Sequence, residues 1–141
     1  MKQLGKHKTE IVSIMHSEKL AFIISVSIDS EIKIYDDGEL SDSELLRSMH
    51  ISSFSITSIT FNHDLGKIIV GGNNGTISLF EAATGKGNEE FSDKTVTKSE
   101  EISCIEYLPG YSCFIYANNQ GMIKMIGLPP LVVKHVKLCE F

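Results

Sequence analysis

The chain has no tryptophan, three prolines among 141 residues, and no apolar run near the roughly 18 residues of a membrane-spanning helix. Lysine and arginine number 13 against 18 aspartates and glutamates, so the formal net charge is −5. This net negative charge argues against nucleic-acid binding, which depends on cationic contacts to phosphates. The polar start MKQLGKHKTE is not followed by a signal-peptide core. We therefore expect a cytoplasmic chain without membrane insertion.

Cysteine is scarce as well. Cys104, Cys113 and Cys139 are odd in number and lack the short spacing of a zinc pair. We expect reduced, mostly buried thiols, with no metal and no cofactor. Hydrophobic residues (42%) and charged residues (22%) lie close to globular averages, which argues against intrinsic disorder.

A repeat of about 46 residues organises the sequence. Apolar residues alternate after a turn in three places that lie 45 and 46 residues apart: Ile32/Ile34, Ile77/Leu79 and Ile123/Met125. This period of two predicts strands with one buried face, so we expect Ile34, Leu79 and Met125 to be equivalent buried residues. The same two offsets relate the upstream segments 11–14, 56–59 and 102–105.

Each copy therefore predicts a unit of four antiparallel strands. The upstream segment is followed by a polar turn, a dense apolar strand, a tight turn and the alternating strand. Asn74-Gly75 is a strong tight-turn signal, because glycine accepts a positive φ. Weaker fourth strands are predicted near 45–50, 89–96 and 131–138, and no helical pattern has a sustained apolar face.

These units resemble the repeats of the WD40 β-propeller family, which usually end in Asp-Gly-Thr-Ile-Lys-Leu-Trp-Asp. The counterparts in this chain are DSEIKIYD, NGTISLFE and QGMIKMIG, at 29–36, 74–81 and 120–127. The resemblance spans roughly residues 7–130. It implies an all-β fold, a partial β-propeller of three four-stranded antiparallel WD40-like blades. The blades would lie at about 7–50, 51–97 and 98–141 of one domain, 1–141.

The copies depart from the family pattern in their aromatic position, where tryptophan is replaced by Tyr35, Phe80 and Ile126. The resemblance implies that the family's His–Ser–Trp–Asp hydrogen-bond network is complete at best in the first copy. Its members there would be His7, Ser25, Tyr35 and Asp29. The other two blades would depend more on apolar packing between sheets.

No pattern of catalytic residues emerges. The glycine-rich segment 71–76 lacks the lysine of a phosphate-binding loop, and no G-x-S-x-G is present. His16 and His63 are predicted to be exposed turn residues. The innermost strands carry Ser13, Ser58 and Ser103 with few acids beside them, which disfavours a propeller-type hydrolase. We predict no catalytic, cofactor-binding or metal-binding residue.

Three repeats are fewer than the four to eight blades that close a propeller. The chain is then a fragment of a longer protein, a partner to blades of another chain, or a self-associating unit. We predict a non-catalytic protein-interaction scaffold whose partners include further blades. The residue patterns of 102–108 and 123–130 are similar to those in repeats of large ciliary and flagellar WD-repeat proteins. That similarity implies a microtubule-associated axonemal role, with tubulin or axonemal proteins as partners. The alternative is a generic cytosolic WD40 adaptor in trafficking, ubiquitin ligation or signalling.

Two segments keep alternative interpretations. The acidic stretch 36–44 is a solvated loop or an acid-directed phosphorylation site at Ser41 or Ser43. The segment 131–138, with Lys134 and Lys137, is an outer fourth strand or an extension that pairs with another chain's sheet edge.

Overall fold

The computed structural model describes residues 3–38, 44–92 and 100–127. Within these residues the chain forms eleven strands and no helix. Sheet 1 contains β1 (Ile11–Ser17), β2 (Phe22–Ser27), β3 (Glu31–Asp36) and β4 (Leu45–His50). Sheet 2 contains β5 (Ile56–Asn62), β6 (Lys67–Gly72), β7 (Thr76–Glu81) and β8 (Gly87–Ser92). Sheet 3 contains β9 (Ile102–Leu108), β10 (Cys113–Asn118) and β11 (Ile123–Gly127).

Each sheet is an antiparallel meander in chain order, so the predicted all-β blade architecture is confirmed. Strand β4 has the predicted limits, whereas β8 begins two residues before the predicted range 89–96. The predicted fourth strand of the third copy, 131–138, lies outside the described residues, as do Ser41 and Ser43. The division of the whole chain into blades at 7–50, 51–97 and 98–141 stays a prediction.

The turns repeat with the strands, down to their backbone conformation. Between the first two strands of each sheet, Ala21, Gly66 and Ser112 share a positive φ of 53°, 64° and 48°. Between the second and third strands, Ser30, Gly75 and Gly121 share a φ of 65°, 80° and 79°. Only some copies carry glycine there, so the non-glycine residues hold a conformation that L side chains adopt at a cost.

The sheets stack face to face around two apolar cores. The first lies between sheets 1 and 2 and includes Ile24, Ile34, Phe61 and Ile68. The second lies between sheets 2 and 3 and includes Ile69, Ile77, Leu79, Ile105 and Phe114. Adjacent residues of β6 point to opposite faces and enter different cores, so this strand is apolar along its whole length.

The third copy corrects one expectation about burial. Ile34 and Leu79 are completely buried, but their equivalent Met125 is only partly buried. These side chains all point toward the next sheet along the chain. Met125 lies on the last sheet, and no described residue packs over that face.

Candidate interaction surfaces

The hydrogen-bond network predicted for the first copy is present in part, through His7 and Ser25, and Glu31 takes the place of the predicted Asp29. His7, whose side chain is buried, places Nε2 2.7 Å from the Ser25 hydroxyl and Nδ1 3.0 Å from Glu31 Oε2. Asp29, the predicted acid, accepts hydrogen bonds from the hydroxyls of Thr9 and Ser27 instead. Glu31 lies two residues further along, and its longer side chain reaches back to the histidine. Tyr35 is buried beside this network, with the backbone of Gly5 against its hydroxyl.

Glu31 is the electrostatic centre of this cluster. Burial by itself would raise the pKa of its carboxyl. The hydrogen bond from Ser48 and the charge of Lys33 outweigh that effect and hold the pKa below its usual value. An ionised carboxylate only accepts hydrogen bonds, so His7 Nδ1 is the donor. These contacts fix residues 3–10 against sheet 1, and Lys33 also donates from Nζ to the Lys6 carbonyl.

The innermost strands of the three sheets border a common groove of about 250 Å³. Ser13, Ser58 and Ser103 line it as the sequence predicts, next to the exposed Cys104. Among the described residues that line the groove there is no carboxylate or imidazole. A hydroxyl without a base beside it is a weak nucleophile, and the described lining places no base beside these serines.

The two singled-out histidines occupy different environments. His16 is exposed at the end of β1 and contacts Asp37. His63 is not simply exposed, because its ring packs edge-on against Phe61 with centroids 5.1 Å apart. Its Nδ1 also lies 3.0 Å from the Ser17 hydroxyl. Within the described residues, no group of three His, Cys, Asp or Glu side chains is arranged to hold a metal ion.

The cysteines only partly follow the expectation of buried thiols. Cys113 is buried in β10, and burial raises the pKa of its thiol. Cys104, in β9, is exposed. Cys139 lies outside the described residues. Cys104 follows the strand alternation, since its neighbour Ile105 points into the core between sheets 2 and 3.

Polar contacts tie the sheets together at positions that the sequence reasoning did not single out. Thr57 Oγ1 donates to the Ile102 carbonyl, and the backbone N–H of Tyr107 donates to Thr60 Oγ1 at 3.1 Å. Both threonines lie on β5, three residues apart, so strand alternation alone would place them on opposite faces; the register shift between Ile56 and Ser58 lets both bond to sheet 3. These bonds connect β5, the innermost strand of sheet 2, with β9 of sheet 3.

A second polar link lies at the turn between β5 and β6. The Tyr107 hydroxyl donates to Asp64 Oδ2 at 2.5 Å, and Lys19 Nζ lies 3.3 Å from Asp64 Oδ1. The hydrogen bonds from Tyr107 and Lys19 lower the pKa of Asp64. Asp64 thus contacts both of the sheets that flank its own.

The two ends of the stack expose residues whose repeat equivalents are buried. On sheet 3, Ile123 is 51% exposed, although its equivalents Ile32 and Ile77 are 0% and 2% exposed. We call the outward side of sheet 3 the open face; it is formed by Ile115, Ala117, Ile123 and Met125.

On sheet 1 the exposed residues lie along the innermost strand. Ile11 is 44% exposed, against 9% for Ile56 and 2% for Ile102. Ile14 is 67% exposed, whereas its equivalent Ile105 is 3% exposed. We call Ile11, Val12 and Ile14 the open edge. Burial at these positions follows from having a neighbouring sheet, and neither end of the stack has one among the described residues.

Comparison with solved structures identifies the fold as consecutive WD40 propeller blades. A crystal structure of RRP9 WD40 repeats matches 94% of this chain with a TM-score of 0.77 and 14% identity. A structure of U3-55K matches 94% with a TM-score of 0.76, also at 14% identity. The match takes up 39% and 40% of those two chains. At such identities the likeness concerns the fold alone.

A comparison of sequences gives a relative from a ciliate, and no protein-family model matches. Cilia- and flagella-associated protein 337 B of Tetrahymena thermophila is 34% identical over all 141 residues. The chain spans only 11% of the length of that relative. No helix in the described part of the chain is long and apolar enough to cross a membrane.

Proposed function

We propose that this chain is a non-catalytic protein-interaction scaffold and that its blades are completed by neighbouring propeller blades. One observation carries the proposal: repeat positions that are buried between sheets become exposed at both ends of the stack. Isolated soluble proteins rarely leave contiguous apolar patches uncovered, and end repeats of arrays need a cap. The innermost groove, lined by serines and apolar side chains, supports a binding role over a hydrolytic one.

We further propose that the scaffold works in a ciliary or flagellar assembly, in contact with axonemal proteins. The support is the relative named for cilia and flagella, which is similar over this whole chain. WD40 blades offer turns, edges and faces to several proteins at once, which suits a large assembly. A generic cytosolic adaptor has the same fold and lacks the ciliary location.

The location is tested by expressing the tagged chain in Tetrahymena thermophila and extracting isolated cilia with detergent. We expect the chain to stay with the insoluble axoneme while a soluble ciliary marker is released. Leu79→Asp, which places a charge in the core between sheets 2 and 3, should lose this retention. A wild-type chain that distributes like a soluble cytosolic marker would favour the generic adaptor and overturn the ciliary role.

Direct contact with tubulin is tested separately by co-sedimentation with polymerised microtubules. Binding that saturates would identify tubulin as the axonemal partner. Retention in the axoneme without co-sedimentation would contradict a tubulin contact and point to another axonemal protein.

A further inference from the structure

The turn between β6 and β7 places an asparagine directly before a glycine. Asn74 is exposed, Gly75 follows it, and none of the other asparagines in the sequence precedes a glycine. Glycine has no side chain to shield its backbone nitrogen, so this nitrogen can approach the amide group of the asparagine. We propose that Asn74 is a site of spontaneous deamidation, at which the protein gains a negative charge as it ages.

Water is the only other reactant. The Gly75 backbone nitrogen gives up its proton and forms a bond to Asn74 Cγ, and the bond from Cγ to Nδ2 breaks as Nδ2 takes up a proton and leaves as ammonia. The product is a cyclic succinimide. Water then adds to a ring carbonyl and opens the ring. Breaking the bond between the Gly75 nitrogen and Cγ gives aspartate, whereas breaking the bond between this nitrogen and the Asn74 backbone carbon gives isoaspartate.

The position of the Asn74 side chain favours the first step. Asn74 Oδ1 accepts a hydrogen bond from the Thr76 backbone N–H at 3.0 Å. This oxygen carries the negative charge that develops when the nitrogen attacks Cγ, so a donor already aimed at it stabilises the transition state. The side chain is folded back over the turn, since a Cβ on Gly72 would lie 2.9 Å from Oδ1. Among the described residues no hydrogen-bond partner holds Nδ2, so ammonia can leave into water.

The hydrogen bond from the Gly75 N–H to the Gly72 carbonyl, 3.2 Å long, acts against the reaction. This bond must open before the nitrogen can attack. Turns at the surface open locally at a much smaller free-energy cost than buried strands, so the bond can open while sheet 2 stays folded. Deamidation is therefore expected in the folded chain, at a rate that depends on how often the turn opens.

The repeat provides an internal comparison, because Asp29, Asn74 and Gln120 occupy the same turn position in the three sheets. The Asp29 carboxylate accepts a hydrogen bond from the Glu31 backbone, as Asn74 accepts one from the Thr76 backbone. Sheet 1 thus already holds an aspartate at this position. The aspartate product at residue 74 should therefore leave the turn intact.

The isoaspartate product should fit the turn less well. It lengthens the main chain by one carbon atom at a place where sheet 2 lies against sheet 3, since a Cβ on Gly75 would come within 3.0 Å of the Glu100 carbonyl. Deamidation therefore adds a negative charge next to the segment that leads into β9. In the isoaspartate form it also weakens the contact between sheets 2 and 3. This inference rests on the turn alone and is independent of the proposed scaffold function.

The test is to incubate the purified full chain at neutral pH and to follow it by isoelectric focusing and by mass spectrometry of its proteolytic peptides. We expect a more acidic form to accumulate, with the exchange of amide for acid found first in the peptide that contains Asn74. Asn74→Gln, which copies Gln120 of sheet 3, should stop its formation, because the longer side chain closes a ring much more slowly. Asn74→Asp should migrate with the acidic form and keep the wild-type midpoint of urea unfolding. An acidic form that accumulates equally in Asn74→Gln would overturn the proposal.

A further variant separates the contribution of the turn from that of the Asn-Gly pair. Gln120→Asn places the same pair on sheet 3, but there the Met122 N–H, the equivalent of the Thr76 N–H, donates to Asn118. We expect this site to deamidate about 5-fold more slowly than Asn74, which is the effect of one missing hydrogen bond. Equal rates would contradict the role of the Thr76 bond. If Asn74 stays intact in the folded chain while the urea-unfolded chain is deamidated there, the proposal as a whole fails.

Discussion

Sheets 2 and 3 are built from equivalent residues and differ in what lies next to them. Leu79 of β7 and Met125 of β11 occupy the same repeat position and point the same way along the stack. Leu79 is covered by sheet 3 and has no exposed surface, whereas Met125 is partly exposed. The difference shows that an alternating apolar pattern specifies which face of a strand is apolar. The pattern does not specify whether that face is buried, because burial depends on the adjoining sheet.

The most direct test of this difference in burial is to place the same charged side chain at both positions. Leu79→Asp should cost more than about 4 kcal/mol of folding free energy and prevent cooperative folding, because an unpaired carboxylate would enter a closed core. Met125→Asp should cost about 1 kcal/mol or less, since its carboxylate can reach water. Urea unfolding followed by circular dichroism measures the loss for both variants. Equal losses would mean that the open face is covered within a single chain.

The hydrogen bond between Tyr107 and Asp64 is a second feature that distinguishes sheet 2 from sheet 3. It crosses the closed interface between them, and Gly110 replaces Asp64 at the equivalent place next to the open face. Tyr107→Phe keeps the ring and removes only the hydroxyl. It should cost about 1.5 kcal/mol, and urea unfolding of the variant beside the wild type measures the loss. No change would show that apolar packing alone holds sheet 3 on sheet 2.

The same pair gives stability a dependence on pH. Burial, followed by the bond to Asp64, raises the pKa of Tyr107 to about 12, above its ordinary value of 10.0. The neutral phenol therefore stabilises the fold fully below pH 10, and this contribution is lost as the pH rises from about 10 toward 12. The wild-type chain should lose stability over this interval more steeply than Tyr107→Phe. Parallel pH profiles for the two proteins would contradict the assignment.

Much of the fold can be predicted from the sequence because the same strand pattern occurs in all three copies of the repeat. The offsets of 45 and 46 residues locate the first three strands of each sheet closely; β4, predicted as a weaker strand, has its expected limits, and β8 begins two residues early. The exposure of Ile123 and Met125 could not be read from residue type, since burial needs a neighbouring sheet.

The family pattern predicted Asp29 as the acid bonded to His7. For another reason, it could not predict that Glu31 takes this place. A motif records the position of a carboxylate along the chain and gives no account of how far its side chain reaches. The threonine bonds of β5 were missed because hydroxyls on a strand also fit a solvated face. Only the position of β9 makes them interfacial.

The smallest expected effect concerns the turn between the first and second strands, where the copies share one conformation and differ in residue. Ala21 has a φ of 53° in sheet 1, and Gly66 has a φ of 64° in sheet 2. A Cβ at Gly66 would meet only Leu20 Cδ1 at 3.5 Å, an ordinary contact, so the backbone conformation is the main difference. Ala21→Gly therefore removes a Cβ from a residue with positive φ, and Gly66→Ala adds one at the equivalent position.

Ala21→Gly should stabilise the chain by about 0.5 kcal/mol, because glycine adopts a positive φ without the clash of a Cβ, although it gains entropy when unfolded. Gly66→Ala should destabilise it by about 1 kcal/mol for the same reason. Thermal and urea unfolding of both variants beside the wild type would measure the changes. If both substitutions destabilise the chain, the equivalence of the two turns fails, and each sheet must then be understood from its own contacts.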